Sequence, residues 1–168
     1  MKGRDLKWFY GVEGRQFTPN RFYKVYLSKE SMMLARLAGQ IFDSESASTL
    51  AAQGQIFAPL LFLYFNRLVR RRTENELKYD DMDLMSDRFL AEDSRNLRIP
   101  YRNLINVQMV PKRNAGAKLW AGHSTQGYLD ITDMHGKRRR LYLTEPIDPS
   151  LTHTMIKEFI PRIEYNPP

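Results

Sequence analysis

The chain has 168 residues and a mass of 19.8 kDa, the size of one ordinary domain, able to bury about 70% of its unfolded surface around a single core. Hydrophobic residues at 42% and charged residues at 27% point to a globular fold rather than a disordered or membrane-spanning chain. The absence of cysteine excludes a disulfide framework, an iron–sulfur centre, a thiol nucleophile and the common structural zinc sites. A net charge of +7 and a pI near 9.7 permit an anionic partner.

The chain opens on MKGRDLKWFYGVEG, with Lys2, Arg4, Asp5 and Lys7 where a secretory signal would need an apolar stretch; a cytoplasmic location is the expectation. FYKVYLS at 22–28 and MMLARLA at 32–38, joined by Lys29-Glu30-Ser31, predict a hairpin, with Tyr23, Val25 and Leu27 on the core face and Phe22, Lys24 and Tyr26 on the other. Beyond Asp43, serine caps and alanines lead into Phe57, Leu61, Tyr64 and Leu68 at helical spacing, with Ile56, Leu60 and Leu63 as a second apolar row. Pro59 predicts a kink or a fresh start, and Arg67, Arg70, Arg71 and Arg72 read as the end of that helix. The apolar run IFAPLLFLYF is about half of the ~20 residues that cross a bilayer. DMDLMSDRFLAED at 81–93 predicts a second helix with Met82, Met85, Phe89 and Leu90 on one side.

LRIPY and INVQMV predict two strands bent at Arg102-Asn103, PKRNAGAK a loop, and Leu119-Trp120-Ala121 a short strand. Residues 128–132 and 139–143 flank Met134-His135-Gly136-Lys137, whose glycine suits the positive φ of a tight turn. Asp148-Pro149-Ser150 predicts a helix start, followed by Leu151, Met155 and Phe159 at fourfold spacing with Ile156 and Ile160 alongside. The segment Asn166-Pro167-Pro168 reads as a frayed tail.

The order of elements is α+β. YKVYLSKESMMLARL, RIPYRNLINVQM, GYLDITDMHGKRRRLYL and DPSLTHTMIKEFI together resemble the pleckstrin-homology-like antiparallel barrel, particularly that of small bacterial proteins. The resemblance implies one domain, 1–168, with a helical insertion at 44–96 between the second and third strands. It also implies a C-terminal helix that covers the open end of the barrel and buries Leu151, Met155 and Phe159. Lipid-binding members use basic residues around the first hairpin, so it further implies Lys29, beside the repelling Glu30.

The charge is unevenly placed: residues 73–94 carry −6 and residues 95–140 carry +8. Lys137, Arg138, Arg139 and Arg140 concentrate at one hairpin, with Lys112, Arg113 and Lys118 in the preceding loop. If the loops meet, Arg forks and Lys point charges would hold phosphate groups, although Arg139 must face away from Arg138 and Arg140. A solvated charge cluster is the plainer alternative.

Asp81, Asp83, Asp87 and Glu92 approach a calcium-loop register, but Met85 takes a ligand position and Ser86 replaces the required glycine. Gly122 to Gln126 falls short of a nucleophile elbow because Gln126 stands where glycine is needed. His123, His135 and His153 have no metal-ligand spacing, and no phosphate loop or dinucleotide glycine motif occurs.

The expectation is therefore a binding or scaffolding module without catalytic residues, metal or cofactor. It would engage a protein partner or an acidic phospholipid surface through its basic loops, attach peripherally at the inner membrane surface, and self-associate through the helical insertion. The alternative is nucleic-acid binding through residues 95–140, with Trp120 and Tyr128 stacking on bases.

Overall fold

The computed structural model describes residues 1–14, 20–39, 58–111, 125–144 and 148–166. The fold is α+β. Strands β1 (Lys7–Glu13), β2 (Arg21–Leu27) and β3 (Ser31–Ala38) precede helices α1 (Ala58–Asp81) and α2 (Asp87–Glu92). Then follow β4 (Leu97–Pro100), β5 (Leu104–Pro111), β6 (Thr125–Asp133), β7 (Arg138–Thr144), α3 (Pro149–Lys157) and β8 (Glu164–Tyr165). All eight strands belong to one open sheet, ordered β4-β3-β2-β1-β7-β6-β5-β8, in which every neighbouring pair is antiparallel except β5 with β8.

The strand β1 was not anticipated; its KWFYGVE sequence pairs along its whole length with β2 and touches β7 at Val12 and Glu13. Counting it places the helical segment between the third and fourth strands. The core faces are as expected: Tyr23, Val25 and Leu27 join Phe9, Met32 and Leu34 from the first half of the sheet. They meet Val107, Met109, Leu129, Ile131, Leu141 and Leu143 from the second half and Ile156, Ile160 and Ile163 from the C-terminal segment. The two halves thus enclose one apolar interior.

The other face of β2 is also buried. Phe22 and Tyr26 lie with Val12, Met33, Ala35 and Leu37 beneath Tyr79, Met82, Leu84 and Phe89. The helical segment is therefore the second layer of the fold, closing over the back of β2 and β3. Pro59 stands in the first turn of α1, as its missing N–H favours, and what precedes Ala58 lies outside the described residues. The helix does not end at Arg72: it runs unbroken through the arginines to Asp81. The second helix is shorter than expected, Asp87–Glu92, with Met82 and Phe89 buried and Leu90 38% exposed.

Other local readings hold. The N–H of Ser28 donates to the Ser31 carbonyl at 3.0 Å in the β2–β3 turn. Gly136 has φ 72° in the β6–β7 turn. The Asp148 side chain accepts from the Ser150 N–H at 2.8 Å, with Pro149 at the first helical position. The register of α3 differs from the expected one: Leu151 is 70% exposed, while Thr152, Ile156 and Ile160 are buried and Met155 and Phe159 are half-buried. Two apolar rows run along this helix, and the sheet takes the one beginning a residue later. Residues 112–118 and Leu119-Trp120-Ala121 lie outside the described residues.

Candidate functional site

The arginines of the β6–β7 hairpin face carboxylates of the same fold. The hairpin register sets Asp130 opposite Arg140 and Thr132 opposite Arg138. Arg140 grips Asp130 with two bonds of 2.9 Å, and Arg138 adds a third at 2.6 Å. Burial raises the Asp130 pKa, but the two guanidinium groups outweigh it and hold the carboxyl below its usual range; the Arg140 pKa is raised in turn, chiefly by its bonds to Asp130. The Arg140 guanidinium also lies 4.0 Å from the Tyr128 ring centre. Arg139, on the opposite face as strand alternation requires, donates to Glu13 at 2.7 Å and is 10% exposed. These three arginines fasten the sheet.

Of the expected cation set, Lys29, Lys137 and Arg138 to Arg140 fall within the described residues. Lys137 and Lys29 are exposed. Lys29 sits in the β2–β3 turn, at the other end of the first half-sheet from Glu13 and Arg21. Lys112, Arg113 and Lys118 lie outside the described residues.

A different basic feature emerges where α1 docks. Lys24, 3% exposed, donates to Glu76 at 3.0 Å and to both Asp80 oxygens at 2.9 Å, and its ammonium lies 4.2 Å from the Trp8 ring centre. The hydroxyl of Tyr10 donates to Glu76 and that of Tyr26 to Asp80. Burial first, then these carboxylates, push both phenol pKa values far up. Arg72 lies 5.1 Å from the Phe22 ring centre and 5.3 Å from that of Tyr10, and the Asn75 amide donates to the Leu37 carbonyl at 3.0 Å. A buried charge is tolerated only when so surrounded; removing either side would leave the other uncompensated.

From Arg72 to Asp80 these contacts move along β2 from Phe22 to Tyr26, so α1 runs alongside β2 in the same sense. Phe22 pairs with Ala38, the last residue of β3. Residues 58–71 of the helix precede these contacts, on the side of β2 where Phe22 pairs with Ala38. In this stretch Arg67 and Arg71 are exposed and have no partner among the described residues. Arg70, 83% exposed, meets Glu74 at 3.0 Å, a weak helix-surface pair. Tyr64 is 57% exposed. The fragment RLVRRR thus lies inside α1 and not at its end.

The acidic residues at 81–92 do not converge. Asp81 pairs with Arg4, Asp83 with the N-terminal ammonium at 2.6 Å, and Glu92 with Lys78, while Asp87 is fully exposed. Among the described residues no three His, Asp or Glu side chains form a group that could hold a metal ion. His135 is exposed in the hairpin turn, and the His153 ring lies 4.7 Å from that of Tyr165. No described helix is long and apolar enough to cross a membrane.

No family model matches the chain, and no curated protein matches it in sequence. Among solved structures, the hSac2 domain from human phosphoinositide phosphatase Sac2 is similar at a TM-score of 0.43 and 10% identity, over 98% of this chain and 78% of that one; likeness at that level assigns neither fold family nor function.

Proposed function

We propose that this chain is a non-enzymatic binding module that attaches peripherally to an acidic phospholipid surface. Its frame is pleckstrin-homology-like: the sheet order, the β1–β7 pairing at one corner and the packing of α3 on the interior support that reading. The observation that carries the functional reading is the exposed arginine row of α1, Arg67, Arg70 and Arg71, spaced to share one helix face, of which only Arg70 has a partner among the described residues, the weak Glu74 pair. A basic residue near an anionic membrane contributes about 1 kcal/mol, so three of them give weak, salt-sensitive attachment without a headgroup pocket. The expected attachment through basic loops is relocated to the helix because Arg138, Arg139 and Arg140 already bind Asp130 and Glu13. Nucleic-acid binding ranks lower for the same reason: Arg138 to Arg140 and Arg98 of the basic segment bond within the fold, and Tyr128 lies beneath Arg140.

The test is sedimentation with vesicles of phosphatidylcholine alone and of phosphatidylcholine with phosphatidylglycerol, over a range of salt. The protein is expected to sediment with the anionic vesicles and to be released by salt. Substituting R67Q, R70Q and R71Q together should weaken this at least about tenfold, while K29Q with R102Q at the other end of the sheet should leave it unchanged. Equal, negligible sedimentation with both vesicles overturns the reading; loss in the K29Q and R102Q variant alone returns the surface to the turns.

A further inference from the structure

The face of α1 that turns away from the sheet carries its charges in a definite order. Asn75, Glu76, Tyr79 and Asp80 meet β2 and β3. At about 100° per residue, Arg67, Arg70, Arg71, Glu74, Leu77 and Asp81 then fall on the opposite side of the helix. All six are exposed, Leu77 at 62%. Three arginines come first and the two acids follow, with Lys78 between the acids and paired to Glu92. We infer that this face takes a second copy of the chain, the two α1 helices lying antiparallel about a twofold axis.

Charge complementarity selects that occupant. A uniformly anionic partner satisfies the arginine end and meets Glu74 and Asp81 as like charges; a cationic one does the reverse. A helix face that runs from basic to acidic is complementary to itself once its direction is reversed, and a twofold axis reverses it. With the axis beside Asn75 and Glu76, Arg70 and Arg71 of one copy stand opposite Asp81 of the other, and Glu74 stands opposite Lys78. Symmetry makes each contact twice. The two Leu77 side chains flank the axis, where each removes the other from water. Partners within the copy do not compete strongly: Arg70 with Glu74, Asp81 with Arg4 and Lys78 with Glu92 are surface pairs, and such pairs are worth little singly. One helix face from each copy is small beside the roughly 1,200 Å² of a stable interface, so the association is weak and reversible. It covers Arg70 and Arg71 and so excludes lipid from the same surface, but it does not depend on the membrane reading.

Analytical ultracentrifugation of the full chain, over a range of protein concentration and salt and without lipid, is the test. Two variants reverse the charge at one end of the face: R67E with R70E and R71E, and E74K with D81K. The wild type should self-associate, with a dissociation constant that rises at least about tenfold as salt is added. Each variant alone should associate at least about tenfold more weakly, because like charges now face each other. An equimolar mixture of the two variants should recover association, since the acidic face of one meets the basic face of the other. A folding fault in either variant cannot produce that recovery. A wild type that remains a single copy at every concentration overturns the inference. Self-association that persists in both variants overturns this face as the interface, and a mixture that stays dissociated overturns the antiparallel pairing. Vesicle sedimentation bears on the membrane reading alone: its failure leaves the pairing in place, and vesicle binding by a protein that never pairs overturns the pairing and leaves the membrane reading.

Discussion

Asp130 is buried between two guanidinium groups that pull its pKa below its unfolded value of about 3.9. A carboxyl with a depressed folded-state pKa contributes stability that is present above the unfolded pKa and lost as pH falls through the folded one. D130N should therefore destabilise the protein by about 2 kcal/mol near neutral pH, a figure kept modest because Arg138 and Arg140 are partly exposed. At an acid pH below that depressed value the wild-type carboxyl is itself protonated and the deficit should shrink. Urea unfolding of both proteins at the two pH values measures it, and a deficit independent of pH would show that the carboxylate charge is not the cause. This pairing was within reach of the sequence. Once Gly136 is placed at the turn, the hairpin register puts Asp130 across from Arg140. The cluster Lys137 to Arg140 is plain in the sequence, whereas the bonds of Arg138, Arg139 and Arg140 to Asp130 and Glu13 come from the pairing of β6, β7 and β1, which leaves Lys137 exposed.

At the scale of elements, Asn96 joins three of them. Its side-chain amide donates to the Phe89 carbonyl at 2.8 Å and to the Tyr79 hydroxyl at 3.0 Å, and its oxygen accepts the Arg36 N–H at 2.8 Å. It thereby ties α2, α1 and β3 at a buried point. N96L keeps much of the volume and abandons those partners, and a buried donor or acceptor left without one costs about 1–3 kcal/mol. We expect a loss of about 3 kcal/mol, read as a lower midpoint of chemical unfolding; a change below about 1 kcal/mol would mean that the segment is fastened elsewhere. The sequence revealed such elements unevenly. Alternation along β2 correctly chose Tyr23, Val25 and Leu27 for the interior, yet it could not reveal that Phe22, Lys24 and Tyr26 are covered too, because the cover arrives from a helix some fifty residues later. A lysine within an aromatic strand reads as a solvent-facing residue, and only Glu76 and Asp80 make its burial tolerable. In β1, the aromatic run Trp8-Phe9-Tyr10 is itself a strand signal, and its pairing with β2 confirms it. In α3, two apolar rows one residue apart left the buried face to be decided by packing.

Across the whole molecule, both faces of β2 and β3 are buried, one in the interior between the half-sheets and one beneath the helical layer. The sheet ends instead in two short strands, β4 and the two-residue β8, whose Glu164 and Tyr165 are exposed. Within α1 the contacts described with β2 and β3 begin at Arg72, and a short helical stretch leans on such contacts because it is marginal in water alone. Local opening follows the burial around each amide, so hydrogen exchange should be slowest in β2 and β3, faster in β4 and β8, and within α1 should rise sharply on the N-terminal side of Arg72. That last step is the informative one. The half of α1 from Arg72 on is held by Lys24, Asn75 and Tyr79 and should exchange with the sheet, whereas residues 58–71 should exchange before it. Anionic vesicles should then slow exchange in residues 58–71 and leave the docked half unaltered. Protection that is uniform from Ala58 to Asp81 without lipid would place residues 58–71 under cover of their own chain and remove their arginines as a docking surface.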